Sequence, residues 1–237
     1  MLFRSGAGNS GNDGAYVRAA IRTMNSANKP KYQSLVTSLD VSADKSNGGK
    51  IGKSMEEAYL YFSAGVPHAG NNKNKADYTG NATGTAASNA VYAVAGNALA
   101  SKAGSPYVNP IVGSCVKNYV IYISNGAAQD NNSDSTQATT ALTAVGGNTT
   151  ALPISPSGSQ SNVADEWSRF MKKSPLGITS YTVDINKVTT GQGPGWTALL
   201  KSVAGDSSRY FDVSSTGTQI ADALNGIFSE IDRKSVV

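Results

Sequence analysis

The sequence is poor in the residues that build most familiar sites. It has one cysteine, Cys115, and one histidine, His68. A single cysteine excludes a disulfide scaffold, and a single histidine excludes a Cys/His zinc cluster. A Ser-His-Asp triad would have to use His68, which follows Pro67 at the start of a Gly/Asn-rich loop. Charged residues make up 15% of the chain, against about 25% in ordinary soluble domains. Ser, Gly, Asn, Thr and Ala fill the difference. No apolar run approaches the roughly 20 residues of a membrane span, so no spanning helix is expected. Lysine and arginine do not cluster, which argues against a nucleic-acid partner. Asp130-x-Asn132-x-Asp134 opens like a calcium loop, but Ser135 stands where glycine is needed and Ala141 where the bidentate glutamate belongs. Ser-x-x-Lys occurs at Ser26/Lys29, Ser42/Lys45 and Ser114/Lys117 without the companion motifs of a serine acyl-transfer site.

What remains is a chain of 237 residues, long enough for a real core. Its two ends read as translated sequencing adapter. Met1-Leu2-Phe3-Arg4-Ser5 corresponds to GTG CTC TTC CGA TCT, and Asp232-Arg233-Lys234-Ser235-Val236-Val237 to GAT CGG AAG AGC GTC GTG with a stop following. On that reading residues 6–231 are an internal fragment, with 17 basic and 15 acidic residues, and the missing signal peptide says nothing about compartment.

The second half carries a clear pattern. Asn118-Tyr119-Val120-Ile121-Tyr122-Ile123-Ser124 predicts a buried strand closed by a turn at Asn125-Gly126. Residues 125–160 are polar and predict a long surface insertion. A helix follows, with Ser161 or Asn162 as N-cap, Asp165 and Glu166 in its first turn, and Val163, Trp167, Phe170 and Met171 on its apolar face; Pro175 stops it. Residues 178–185 predict a second strand. Trp196, Leu199, Leu200 and Val203 mark a helix capped by Gly205, and 209–213 a short strand. Thr216 and Gln219 have capping-box spacing ahead of the stripe Ile220, Leu224, Ile227 and Ile231. The β-α-β-α-β-α order predicts an α/β fold, a mostly parallel sheet with helices on both faces.

The first half is less regular. Residues 16–21 read as a strand or hairpin edge. Tyr32, Leu35, Val36 and Leu39 suggest a short helix, and Met55, Ala58, Tyr59 and Phe62 a longer one ending at Gly65. Residues 64–115 predict a second insertion facing solvent, interrupted by a helical or mixed stretch near 91–99. Trp167 and Trp196 read as core. Cys115 is either a buried thiol or one half of a disulfide to a cysteine outside the fragment.

Five segments in order resemble the von Willebrand factor A-type domain of type IV pilus tip-associated adhesins and biogenesis factors of the PilC/PilY type. They are Gly14-x-Tyr16-Val17-Arg18, Met55-Glu56-Glu57-Ala58-Tyr59-Leu60-Tyr61-Phe62, Cys115-x-x-Asn118-Tyr119-Val120-Ile121-x-x-Ser124-Asn125-Gly126, Asp165-Glu166-Trp167 and Tyr181-Thr182-Val183-Asp184. The resemblance covers nearly all of 14–231. It implies a Rossmann-like sandwich lacking its first strand, with 118–124 as the central strand. It implies export, a place at the pilus tip or outer cell surface, and partners among minor pilins, the pilus tip complex and host or environmental surface ligands. It also implies a non-enzymatic role in adhesion and pilus assembly. The alternatives are the A-type module of a metal chelatase or secreted hydrolase, and a secreted adhesin unrelated to pili.

The resemblance further implies an adhesion site for Mg2+ or Mn2+ built by three loops. The Asp-x-Ser-x-Ser loop is absent from this sequence. The second loop corresponds to Gly48-Gly49-Lys50-Ile51-Gly52, with Lys50 near the ligating threonine's position. The third corresponds to Ser124-Asn125-Gly126, with a neutral amide in place of a carboxylate. The expected metal residues are therefore Ser124 and Asn125 in a degenerate site. Lys50 and Asp130 are the expected ligand-binding residues, Lys50 either as a fixed cation in the metal's place or as a solvated loop residue.

Overall fold

The computed structural model describes residues 2–5, 14–39, 50–70, 75–81, 94–102, 104–113, 116–126, 132–156, 163–214 and 216–235. The chain forms two compact units, Met1–Ser114 and Cys115–Val237.

In the first unit, β1 (Leu2–Ser5) pairs antiparallel with β2 (Ala15–Ala19). This is the hairpin-edge form of the two readings that 16–21 allowed, and the strand also takes up the first residues of the sequence. Gly14 precedes β2 at φ +87°, and a Cβ there would lie 2.7 Å from that of Lys53. Both the backbone conformation and the close approach demand glycine. Helix α1 (Asn28–Thr37) starts where the Asn25 side chain accepts from the backbone N–H of Ala27 and Asn28 at 3.1 and 2.9 Å. Only Leu35 of its expected stripe is buried, against Ala19; Val36 is 59% exposed.

Helix α2 (Ile51–Phe62) buries Ile51, Met55, Ala58, Tyr61 and Phe62. The left-handed residue that ends it is Ala64, at φ +54°, rather than Gly65, whose N–H reaches the Leu60 carbonyl at 2.7 Å.

Residues 64–113 correct the expectation of a solvent-facing insertion. Among the described residues, Leu99 bridges both Tyr78 and Tyr107, and Ala76, Asp77, Ala98, Leu99 and Tyr107 are buried. No helix occurs in 94–99, while 91–93 lie outside the described residues.

In the second unit, β3 (Tyr119–Ser124), β4 (Thr179–Ile185) and β5 (Tyr210–Val213) form a parallel sheet in that order. Helices α4 (Ala164–Lys173) and α5 (Gly193–Ala204) join them, and α6 (Gly217–Ser235) follows β5. The parallel α/β pattern is as expected, with helices flanking the sheet.

The alternation along β4 explains the layering. Tyr181, Val183 and Ile185 point to one face, where they pack with Tyr119, Ile121, Phe211, Val213 and with Ile227 and Ile231 of α6. Ser180, Thr182 and Asp184 point to the other, and each hydrogen-bonds a helix. Ser180 bonds Ser168 of α4 at 2.9 Å. Thr182 donates to the Leu200 carbonyl of α5 at 3.0 Å, and Asp184 accepts from Thr197 of α5 at 2.7 Å. A buried strand tolerates these polar residues because each has a helix partner, although one oxygen of Asp184 stays without one.

Two expectations need correction here. Tyr119–Ser124 is an edge strand of this sheet, and β4 is its centre. A continuous apolar run shows that a strand is covered but not how many neighbours it has. Tyr119–Tyr122 are half-buried and Ile123 is 49% exposed, as an unpaired edge leaves them. The polar segment 125–160 also contains a helix, α3 (Asn132–Ala144), which buries Ala138 and Leu142 at i, i+4. Its backbone is helical through Asn132 and Asp134, which removes the calcium-loop geometry.

The remaining signals sit close to expectation. Helix α4 stops before Pro175, but its N-cap is Val163, without a side-chain cap bond; Ser161 and Asn162 lie outside the described residues. Gly205 caps α5 in the left-handed conformation at φ +69°. Thr216 accepts from the Gln219 N–H at 3.4 Å, while the Gln219 side chain reaches back to the Ser214 N–H instead of closing the box.

Candidate functional site

Parallel sheets with helical crossovers bind ligands at the carboxyl ends of their strands. In the second unit that rim is a polar row. Ser124, Asp184 and Asp212 are register partners on β3, β4 and β5. Ser124 is buried; its hydroxyl accepts from the Trp196 indole at 2.8 Å and donates to the Gly126 carbonyl at 2.9 Å. Asp184 is 1% exposed; its Oδ2 accepts from Thr197 at 2.7 Å and Tyr210 at 3.0 Å, and its Oδ1 is buried with no hydrogen-bond partner. Burial and the Asp184 charge push the Tyr210 phenol well above its ordinary value, so it stays a donor. Asp212 is exposed and pairs with Lys187. Asn125 is exposed in the turn after β3, and Val188 is 40% exposed after β4. The inner part of the rim is thus fixed by hydrogen bonds, and its outer part presents an amide, an ammonium, a carboxylate and an apolar group to solvent.

The Asp165-Glu166-Trp167 segment, which carries part of the resemblance, is a three-way staple. Asp165 accepts from Ser202 of α5 at 2.6 Å, Glu166 accepts from the Leu152 N–H at 3.1 Å, and the Trp167 indole donates to the Ala138 carbonyl of α3 at 3.0 Å. Arg169 donates to both carboxylates, at 3.0 and 2.5 Å. Burial and the neighbouring Asp165 push Glu166 up to about 7, while hydrogen bonds from its surroundings and the Arg169 charge hold Asp165 below its ordinary value.

Folded Glu166 binds its proton more tightly than unfolded Glu166. Its contribution to stability is therefore full below pH 4.5 and lost as pH rises to about 7. Both tryptophans of the chain, Trp167 and Trp196, lie in the second unit, so their emission reports on it. Urea titrations followed by this emission are expected to show wild type losing about 1–3 kcal/mol between pH 4.5 and 7.5, and Glu166→Gln showing a flatter profile over that window.

Among the buried carboxylates of the first unit are Glu57 and Asp77, to which the sequence assigns no role. Glu57 accepts from the backbone N–H of His68 and Ala69 at 3.2 and 3.0 Å and from the Tyr107 hydroxyl. Asp77 accepts from the Ala20 N–H at 2.6 Å, from Asn97 at 3.1 Å and from Arg22 at 2.9 and 3.2 Å. Together they fasten His68, Ala69 and Tyr107 to α2, and Asp77 and Asn97 to the exit of β2. Burial pushes Glu57 up to about 7, so it contributes to its own unit with the same sign as Glu166.

Of the expected site residues, Ser124 and Asn125 stand on the rim as described. Lys50 is the N-cap residue of α2 in the first unit and is 3% exposed, so it is not a solvated loop residue. Asp130, Cys115, Gly48 and Gly49 lie outside the described residues. The described rim residues offer a divalent ion a degenerate set of groups. The Ser124 hydroxyl is engaged by Trp196 and Gly126, Asn125 is neutral, Asp212 has Lys187 as partner, and the buried Asp184 Oδ1 has no hydrogen-bond partner. Among the described residues no group of three or more His, Cys, Asp or Glu side chains is placed to hold a metal ion. His68 contributes its backbone N–H to Glu57.

Compared with protein families, curated proteins and solved structures, the chain matches none.

Proposed function

We propose that this chain is the recognition module of a pilus tip-associated adhesin, an A-type domain that engages a protein partner through the carboxyl-end rim of β3, β4 and β5 without a metal ion. The observation that carries the reading is the polar row Ser124–Asp184–Asp212 across a parallel sheet, with Asn125 in the turn where the A-type fold places its adhesion loop. The sheet order supports it as well. In the doubly wound order 3-2-1-4-5-6, strands 4, 5 and 6 run consecutively at one end and strands 1, 2 and 3 at the other. With β3, β4 and β5 taken as strands 4, 5 and 6, the free edge of β3 faces the place of strand 1, the strand the resemblance leaves out. Within such a sheet β3 becomes an inner strand, and the exposed Ile123 gains a neighbour.

The reading is non-enzymatic and exported. The partner is a minor pilin complex at the pilus tip, and the outer rim residues Asn125, Lys187, Val188 and Asp212 are its contact surface. The experiment is electron microscopy of type IV pili incubated with the gold-labelled protein. Gold at pilus ends is the expected result; gold along the shafts, or none on pili, overturns the reading.

A further inference from the structure

The opposite end of the same sheet carries a second candidate site, independent of the rim. A cavity of about 480 Å3 opens where the three strands begin. Its charged lining is Lys117 before β3, Lys172 in the last turn of α4 and Arg209 before β5; Asn118, Tyr119 and Thr179 supply its neutral part. Three cations from three separate segments converge there, and no carboxylate lines the cavity among the described residues.

Two of the three are held in place. Lys172 donates to the Thr179 hydroxyl at 2.7 Å. Arg209 donates to the Ala204 carbonyl at 3.1 Å, with the Asp206 carboxylate 3.5 Å behind it. Gly177, at φ +56°, turns the chain from α4 into β4 beside the cavity, a backbone conformation that a side chain disfavours. Like charges around one cavity repel, and a bound anion relieves that repulsion. Fixing the cations beforehand lowers the ordering cost of binding. The cavity falls in the range of about 300–1,000 Å3 that takes small molecules, and three cations are too few for a nucleic-acid backbone.

We propose that this cavity binds a small ester of a tetrahedral oxyanion, a phosphate or sulfate, with the oxyanion among Lys117, Lys172 and Arg209 and the organic body against the Tyr119 ring. The two sources differ in charge. A phosphate monoester carries close to two negative charges at pH 7 and loses one near pH 6, whereas a sulfate ester carries one throughout.

The test is calorimetric titration of the full chain with phenyl phosphate and with phenyl sulfate. At least one is expected to bind with a dissociation constant below about 1 mM, weakened by about tenfold in Lys117→Glu and by a similar factor in high salt. Tighter binding of the phosphate, weakening below pH 6, identifies a phosphate ester as the ligand. Equal or tighter binding of the sulfate, flat with pH, identifies a sulfate ester. Lys117 is exposed, so its reversal leaves the fold intact, and circular dichroism of the variant checks this. Absence of binding by both esters, or binding unchanged in the Lys117→Glu/Lys172→Gln double variant, overturns the proposal.

Discussion

Trp167→Ala is expected to destabilise the second unit by about 3–5 kcal/mol. The side chain is 1% exposed and stacks edge-on against Phe170 at 5.9 Å. Its indole N–H is the bond that ties α3 to α4. Truncation leaves a cavity between the helices and removes the donor from the Ala138 carbonyl, and the two costs add. Trp167→Phe fills much of the volume but loses the donor, so a smaller loss of about 1–2 kcal/mol is expected. Total stability in domains of this size is about 5–15 kcal/mol, so the alanine variant stands near the edge of folding. Urea unfolding followed by Trp196 emission measures both. A loss below about 1 kcal/mol in Trp167→Ala would mean that α3 is not packed on α4.

Asp77→Ala is expected to be as severe in the first unit, about 3–5 kcal/mol. The Arg22 side chain is 4% exposed and that of Asp77 is fully enclosed. Removing the carboxylate leaves the guanidinium without its counter-charge and the Ala20 N–H without an acceptor. The backbone of Asp77 also bonds β2, through its N–H to the Val17 carbonyl at 2.9 Å. Loss of the side chain should therefore loosen 75–81 and 94–102 together. Hydrogen exchange of peptides from 75–81 and 94–102 measures this, and protection equal to wild type contradicts it. Asp77→Asn keeps one acceptor oxygen for Ala20 and Arg22 but loses the charge, and is expected to cost less than Asp77→Ala.

The outcome of the sequence reading divides along physical lines. Features that depend on local chemistry were legible: the left-handed Gly205 cap, the stop before Pro175, the acidic first turn of α4, and the alternation of apolar strands with amphipathic helices. Features that depend on distant neighbours were not. Nothing in Tyr119–Ser124 says whether one strand or two will pair with it. The α3 stretch, full of Ser, Thr and Gln, shows no apolar stripe because, among its described side chains, only Ala138 and Leu142 meet the core. Ser180, Thr182 and Asp184 look misplaced in a buried strand until their helix partners are known.

The candidate site was half legible on the same grounds. Ser124 and Asn125 follow from the turn after an apolar run. Asp184 belongs to a segment that the resemblance named without giving it a role, and its place beside Ser124 is fixed only by register. Glu57 and Asp77 find their partners 11 to 57 positions away, at His68, Ala69, Tyr107, Ala20, Arg22 and Asn97, which no spacing rule reaches.

The most direct measurement of the central claim is interferometry of sheared type IV pili on the immobilised chain, with and without EDTA, for wild type and for Asn125→Ala/Lys187→Ala. The account predicts saturable binding that EDTA leaves unchanged and that the double variant weakens by about tenfold or more. Binding that needs Mg2+, or that the double variant keeps in full, would contradict it.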